Sequence, residues 1–266
     1  MAKTDKREDI MTRTEPMISD QWLQWMRDYR DAAKQLADMD SFEQPKGDTE
    51  TLFVKFALFA RTVTLFDTAV LLAEHDKLFE LRSICREVLE CAIHMDAAFR
   101  RDDYLKMLKD DDDKSRWSRA KAFQERNTDL DTDSRSLLQE FLNEKKGKPL
   151  KPSELSKGSD FPDMAHTYRE ISADTAHVTY TALVRHSKHN DDGSTIFTLD
   201  PLLTDIEIHE TLAMLGLSAM ICTLNVVRMI PTMSGDPVFF TLNERFRALQ
   251  AIRPAMSDNI GAGEAR

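Results

Sequence analysis

The stretch "TLFVKFALFARTVTLFDTAVLLAEH", Thr51 to His75, is apolar on almost every side of a helix. Such a helix is normally covered by other elements. The stretch that follows it, from Leu78 to Arg100, has an apolar stripe at helical spacing, made of Leu81, Cys85, Val88, Ala92, Met95 and Phe99. The two stretches predict long central helices in an all-α, multi-helix bundle.

Composition supports the same fold class. Glycine and proline number only 8 and 9 in 266 residues, and residues that favour helices are common. The helical pattern predicts helices at about 17–39, 50–76, 78–108, 114–127, 132–146, 162–187, 203–230 and 238–252. The turn residues and β-branched residues of "DDGSTIFTLDP" predict a short extended, hairpin-like segment near 191–200.

The length suits one domain. We predict a single helical domain over 17–252 with a polar, partly flexible insertion at about 109–160, and disordered tails at 1–16 and 253–266. Within the insertion, the run "KDDDDK", Lys109 to Lys114, is predicted to be a solvated acidic loop. This run also matches the recognition sequence of enteropeptidase.

Charge and cysteine usage limit the function and the compartment. A net charge of −10 disfavours non-specific DNA binding, which needs clustered positive charge. Three cysteines without a pairing pattern, and a start without an apolar signal region, predict a cytoplasmic protein. The run from Thr211 to Ile230 approaches membrane-spanning length, but Arg228 within it favours a buried core helix, so no membrane partner is expected.

Polar residues line the other side of the third helix and one stripe of the helix predicted at 162–187. The first set is Arg82, Arg86, Glu87, Glu90 and His94, and the second is His166, Glu170, Asp174, His177 and Thr181. A di-metal bundle is one interpretation, but it requires two Glu-x-x-His motifs that the chain lacks. Phosphate-binding loops, dinucleotide fingerprints and nucleophile elbows are absent from the sequence. We predict no cofactor and no metal site.

A second histidine-containing group follows in the sequence. Arg185, His186, His189 and Asn190 lie where the predicted helix ends. Cations there interact favourably with the helix dipole, so this group is expected to be a solvated helix end and not a site.

Two segments carry a family resemblance. The third helix contains "REVLECAIHMDAAF", with Arg86 and Glu90, and the later helix contains "YREISADTAHV", with Tyr168, Ser172 and His177. Over about residues 50–230 the chain resembles the mostly bacterial family called domain of unknown function 5677. The resemblance and the polar faces give Arg86, Glu90, Tyr168, Ser172 and His177 as candidate catalytic residues.

The order of Arg86 and Glu90 along the third helix indicates which kind of contact they make. An Arg four residues before a Glu is the less favourable order for an ion pair within one helix, so a tertiary role is expected for Arg86 and Glu90. They are expected to meet Ser172 or His177 inside the bundle. Two alternatives stay open at this point: a polar pin that fixes helix packing, or a functional pocket.

The family is in turn distantly similar to HEPN-type bundles, which include ribonuclease toxins and phage-defence proteins. In the active members that it resembles, an Arg is followed by a His after four to six residues, and the two residues cleave RNA without metal. None of the seven histidines here follows an arginine at that spacing. Arg169 and His177 are about 12 Å apart along a helix, too far to share one phosphate within one subunit, although a dimer could combine them.

The leading prediction is a helical module with a non-catalytic or unassigned role that acts through contacts with a protein or a nucleic acid, RNA among them. Stress response or phage defence is implied only by the resemblance, and a homodimer is compatible with the sequence. The alternative is a metal-independent ribonuclease with His177 as acid or base and Arg86 or Arg169 as phosphate partner. A di-metal oxidoreductase is the third and least favoured class.

Overall fold

The protein is an α-helical bundle with one small β-hairpin, as the sequence predicts. A computed structural model describes residues 18–38, 49–127, 129–144, 147–176, 178–190, 192–201, 203–230 and 237–252. In these parts of the chain the helices are α1 (Asp20–Ala37), α2 (Thr49–Glu74), α3 (Leu78–Arg100), α4 (Tyr104–Arg126), α5 (Thr132–Asn143), α6 (Pro152–Leu155), α7 (Met164–Thr175), α8 (Tyr180–Val184), α9 (Asp205–Met229) and α10 (Pro237–Ala251). The strands are β1 (Ser187–His189) and β2 (Thr195–Phe197).

Helix α3 lies at the centre of the bundle and packs against α2, α7 and α9. Six of its apolar side chains are fully buried, namely Cys85, Val88, Leu89, Ala92, Met95 and Ala97. The helix therefore has an apolar stripe for the core, as its period predicts, while its remaining face is available for polar contacts with α7 and α9.

Helices α1 and α10 close the bundle at the far side of α9. The indole nitrogen of Trp25 donates to the carbonyl of Leu242 at 2.9 Å, and the hydroxyl of Tyr29 donates to the carbonyl of Ala219 at 2.9 Å. Gly216 allows this close approach, because a Cβ atom there would lie 2.4 Å from Phe246. Buried aromatic side chains with satisfied polar groups thus fix the position of α9.

The prediction of one helix over 78–108 is wrong. Helix α3 ends at Arg100, and the backbone of Arg101 is extended with φ −120°. The chain begins a new helix at Tyr104, which runs on to Arg126 and includes the separately predicted helix at 114–127. No glycine or proline marks the break, so the sequence did not reveal it.

The prediction of an acidic loop at 109–114 is also wrong, because this run lies inside α4. Tertiary contacts hold it there. Asp111 accepts a hydrogen bond from the backbone N–H of Leu150 at 2.7 Å, and Lys109 lies 2.7 Å from Glu50. Such contacts offset the weak helix propensity of four successive aspartates.

The helix predicted at 162–187 is divided. Helix α7 ends at Thr175, and the side chain of Thr179 caps a new short helix, α8, by accepting from the N–H of Ala182 at 3.1 Å. The chain then forms the β1–β2 hairpin. The predicted hairpin-like segment exists, but it begins at Ser187, the last residue assigned to the helix, and not near residue 191.

Two helices, α2 and α9, are long and apolar enough to cross a membrane by length and composition. From the sequence, only the run within α9 was expected to approach membrane-spanning length. Both pack against α3 in the bundle. The predicted disordered tails at 1–16 and 253–266 lie outside the described residues.

Candidate functional site

A row of polar side chains runs along one side of α3. Its members, Arg82, Arg86, Glu90 and His94, are spaced four residues apart, which places them on one face of the helix. Each one contacts another polar group, and three of them, Arg82, Arg86 and His94, reach a different helix. The row therefore joins α3 to its neighbours through polar contacts on the side away from the apolar stripe.

Three of the five predicted site residues come together in the middle of this row. Nη1 of Arg86 donates to the hydroxyl of Tyr168 at 2.8 Å and to a carboxylate oxygen of Glu90 at 3.3 Å. The guanidinium carbon of Arg86 also lies 5.3 Å from the centre of the Tyr168 ring. Arg86 and Glu90 are partly exposed, so this group lies at the edge of the bundle and not in its centre.

Ser172 does not join this group in the way the sequence analysis expected. Its hydroxyl donates to the carbonyl of Tyr168 at 2.6 Å, one turn earlier in the same helix. A hydroxyl used in this way satisfies a backbone group and is not directed at a neighbouring base. The fifth predicted residue, His177, lies outside the described residues.

A second polar cluster, which the sequence analysis did not predict, lies at the start of the row. Its centre is Asp174, whose Oδ2 accepts from Nη2 of Arg82 at 3.3 Å and from Nη2 of Arg185 at 2.8 Å. Arg185 donates at 2.7 Å to Glu207 as well, and Arg82 donates at 3.0 Å to Thr211. We call these five residues the buried network, because Arg82, Asp174 and Thr211 are buried, with exposures of 8%, 7% and 3%.

The charges of the buried network balance, with two arginines and two carboxylates. Burial acts to raise the pKa of Glu207, but hydrogen bonds from Arg185 and from Thr204 outweigh it, so this pKa lies below its ordinary value. Glu207 also forms a capping box with Thr204 at the start of α9. Nε of Arg82 is buried without a hydrogen-bond partner among the described residues.

The buried network changes the interpretation of two residues. Asp174 was grouped with histidines as a metal ligand or part of an exposed stripe, yet it is buried against two arginines. Arg185 was expected to be a solvated cation at a helix end, but its side chain is only 16% exposed and pairs with two carboxylates. Within the described residues no group of three or more histidines, cysteines or carboxylates could hold a metal ion.

The far end of the polar row contains a buried histidine. Nδ1 of His94 lies 2.8 Å from the hydroxyl of Tyr104. Burial lowers the pKa of His94, and the carboxylates of Glu90 and Asp111 oppose that effect. Burial also raises the pKa of Tyr104. Both groups are therefore neutral at neutral pH, and they fix the junction between α3 and α4.

The three cysteines are free and buried. Burial raises the pKa of Cys85 to about 12, and it raises the pKa of Cys91 and Cys222 as well. A thiol with a raised pKa is a poor nucleophile. The cysteines therefore behave as core side chains.

The structure also contains an exposed apolar segment. Fifteen large apolar side chains are exposed in the described part of the chain, and seven of them fall between residues 178 and 199. They are Val178, Tyr180, Leu183, Val184, Ile196, Phe197 and Leu199. We call residues 178–199, which comprise α8 and the hairpin, the apolar segment. Single exposed apolar residues are ordinary, but a concentration of this kind is typical of an interaction surface.

The buried network holds the apolar segment in place. Arg185 follows directly after α8 and precedes β1 by two residues, and its side chain reaches both α7 and α9. At the other end of α8, the hydroxyl of Thr179 donates to the carbonyl of Ala173 at 2.8 Å. The segment is thus fixed to the bundle at both ends of α8 while its large side chains point to solvent.

Comparison with known proteins gives a family. The model of a family of unknown function, DUF5677, matches residues 52–194. The chain belongs to this family. The match extends from α2 to the turn of the hairpin, a shorter range than the 50–230 expected from the sequence, and it includes Arg86, Glu90, Tyr168 and Ser172. No curated protein and no solved structure matches the chain.

Sequence reasoning could have found part of the buried network. Arg82 was noted on the polar face of α3, and an arginine on a central helix requires a partner of opposite charge. The partner was not evident, because a continuous helix over 162–187 places Asp174 on one stripe with His166 and Glu170. The break at Thr175 allows Arg185 to turn back toward Asp174.

Proposed function

We propose that this member of the DUF5677 family is a non-catalytic protein-interaction module whose contact surface is the apolar segment. The observation that carries the proposal is the concentration of seven exposed large apolar side chains between residues 178 and 199. Tyr180 and Phe197 are 84% and 80% exposed. Aromatic side chains of this kind supply much of the binding free energy at protein interfaces when a partner covers them.

The chemistry of the predicted site residues favours an interaction role over catalysis. Arg86 already donates to Glu90 and Tyr168, and the hydroxyl of Ser172 is bonded within its own helix. An enzyme of the acid–base type needs a proton-transferring group directed at a reacting atom. Contacts among Arg86, Glu90 and Tyr168 are those expected of a polar pin that fixes α7 against α3.

Photocrosslinking in cells tests the proposal. We expect p-benzoylphenylalanine at position 197 to give one discrete adduct, identified by mass spectrometry, because a partner covers that position. The matched control replaces Phe240 on α10, which is 66% exposed and lies outside the apolar segment. It should give no discrete adduct.

Two results would overturn the proposal. One is the absence of any adduct from position 197, and the other is the same diffuse set of products from positions 197 and 240. Circular dichroism of both purified variants establishes that each one is folded, so that neither result arises from misfolding.

The metal-independent ribonuclease stays the alternative proposal, together with its setting in stress response or phage defence. It depends on His177, which lies outside the described residues. If His177→Ala removes an RNA-cleaving activity while the melting temperature is unchanged, the alternative replaces the interaction module. If purified chain leaves a mixed-sequence RNA intact, the alternative is wrong.

A further inference from the structure

The outer edge of β2 carries backbone groups without partners. In the hairpin Ser187 is opposite Phe197, Lys188 is opposite Ile196, and His189 is opposite Thr195. The flanking backbone bonds, from Asn190 to Ser194 and from Thr198 to His186, place Lys188 and Ile196 in the hydrogen-bonded pair of the ladder. The N–H and C=O groups of Thr195 and Phe197 therefore point away from β1, where no other described strand pairs with them.

Both faces of the hairpin are also uncovered. Successive side chains of a strand point to opposite faces, yet Ile196 and Phe197 are both exposed. An isolated two-stranded hairpin is at best marginally stable in water. The hairpin therefore has an apolar face and an open edge that a partner can complete.

The edge of β2 lacks the features that normally prevent pairing. Natural edge strands are commonly protected by charged residues or proline. From Ser194 to Leu199 the chain has neither, whereas the strand on the other edge contains Lys188. Of the two edges, β2 is the one suited to receive another strand.

We propose that two copies of the chain pair through the outer edges of their β2 strands, forming a four-stranded antiparallel sheet about a two-fold axis at Ile196. This inference rests on the proposed function and names the partner of the apolar segment as a second copy.

The strand is complementary to itself in this arrangement. With the axis at Ile196, Thr195 of one copy is opposite Phe197 of the other, and their outward N–H and C=O groups meet as hydrogen-bonded pairs. The two Ile196 residues then form a non-hydrogen-bonded pair with their side chains close together. No charged residue lies on β2, so no like charges are brought together.

The apolar segment as a whole exposes enough apolar area for an interface of standard size, and Ile196 and Phe197 lie on the pairing strand itself. Seven large side chains with this exposure present on the order of 800 Å², which is about the area that one partner buries in an interface of standard size. A two-fold interface needs only one self-complementary patch, and the apolar segment provides one.

Disulfide crosslinking tests the geometry. In Ile196→Cys the introduced thiols of two copies adjoin across the axis, so diamide should convert most of the protein to a covalent dimer that dithiothreitol reverses. In the control Lys188→Cys the introduced cysteine lies on β1, the outer strand, far from the same residue of the other copy. This variant should form no covalent dimer under the same treatment. The three native cysteines are buried, so the wild-type chain measures how much crosslinking occurs without an introduced cysteine.

Sedimentation velocity of the full chain tests the association itself. We expect a species of about twice 30.5 kDa. Phe197→Asp should weaken dimerisation on the order of 100-fold, because a two-fold interface carries the substitution twice. Phe240→Asp, on α10, should leave the dimer unchanged.

The outcomes separate the two proposals. A monomer at all concentrations, or equal crosslinking of Ile196→Cys and Lys188→Cys, overturns the β2 pairing. If position 197 then crosslinks to a different protein in cells, the interaction module stands and only the identity of its partner is wrong. If position 197 crosslinks to nothing, both proposals fail.

Discussion

Nη2 of Arg185 lies 2.8 Å from Oδ2 of Asp174, and this contact joins the end of α8 to the last turn of α7. The two residues are 11 positions apart, on either side of a break in the helix. Because Arg82 donates to the same carboxylate oxygen, one buried aspartate connects α3, α7 and the start of the hairpin. The network therefore fixes the orientation of the apolar segment relative to the bundle.

Replacing Asp174 should destabilise the fold strongly. Asp174→Asn keeps the shape but leaves the buried charge of Arg82 without a carboxylate, so we expect a loss of about 3–5 kcal/mol in the free energy of unfolding. Urea unfolding followed by circular dichroism measures it. The control Asp200→Asn breaks an exposed pair with Lys77 and should cost about 0–1 kcal/mol. If the two variants lose the same free energy of unfolding, the buried network does not stabilise the fold more than an exposed ion pair does.

Ser172 and Tyr168 should differ in their contribution to stability. Ser172→Ala removes a hydroxyl that bonds only within its helix, so we expect a change of at most about 0.5 kcal/mol. Tyr168→Phe removes the acceptor of Arg86 and should cost about 1 kcal/mol. Urea unfolding compares the two variants. If Ser172→Ala is the more destabilising, the polar pin does not involve the Tyr168 hydroxyl as described.

His94 should make the protein less stable in mild acid. Burial holds its pKa below 6.5, so the unfolded state binds a proton that the folded state does not, and stability falls as the pH decreases below that value. His94→Gln keeps a group that can bond to Tyr104 but does not titrate. The difference in free energy of unfolding between wild type and His94→Gln should therefore become smaller from pH 7.5 to pH 5. If this difference in free energy stays constant or becomes larger, His94 does not have a lowered pKa in the folded protein.

Enteropeptidase should cut the folded protein poorly. The run that matches its recognition sequence ends at Lys114 inside α4, and a protease requires extended backbone that a helix does not offer. We expect the native chain to resist cleavage after Lys114 under conditions that cut a flexible peptide with the same sequence. Gel electrophoresis measures the rate of cleavage. If the native chain and the peptide are cut at the same rate, residues 109–114 are not helical in solution.

The sequence predicted the bundle because α2 and α9 are long apolar runs and α3 has a regular apolar stripe. It did not predict the breaks at Arg101 and after Thr175, since neither is marked by glycine or proline. For the site, it predicted a tertiary role for Arg86 and Glu90. Arg86 contacts Tyr168 on α7, whereas Glu90 pairs with Arg86 within α3. The buried network could not be derived, because it depends on the turn that brings Arg185 back to Asp174.

Hydrogen exchange in Arg185→Met tests most directly whether the buried network holds the apolar segment in position. Methionine keeps the apolar stem of the side chain and removes the ion pairs to Asp174 and Glu207. Mass spectrometry should show faster exchange across residues 180–198, with unchanged exchange in α2 and in the second half of α9. Unchanged exchange at 180–198, or an equal acceleration throughout the bundle, would contradict the account.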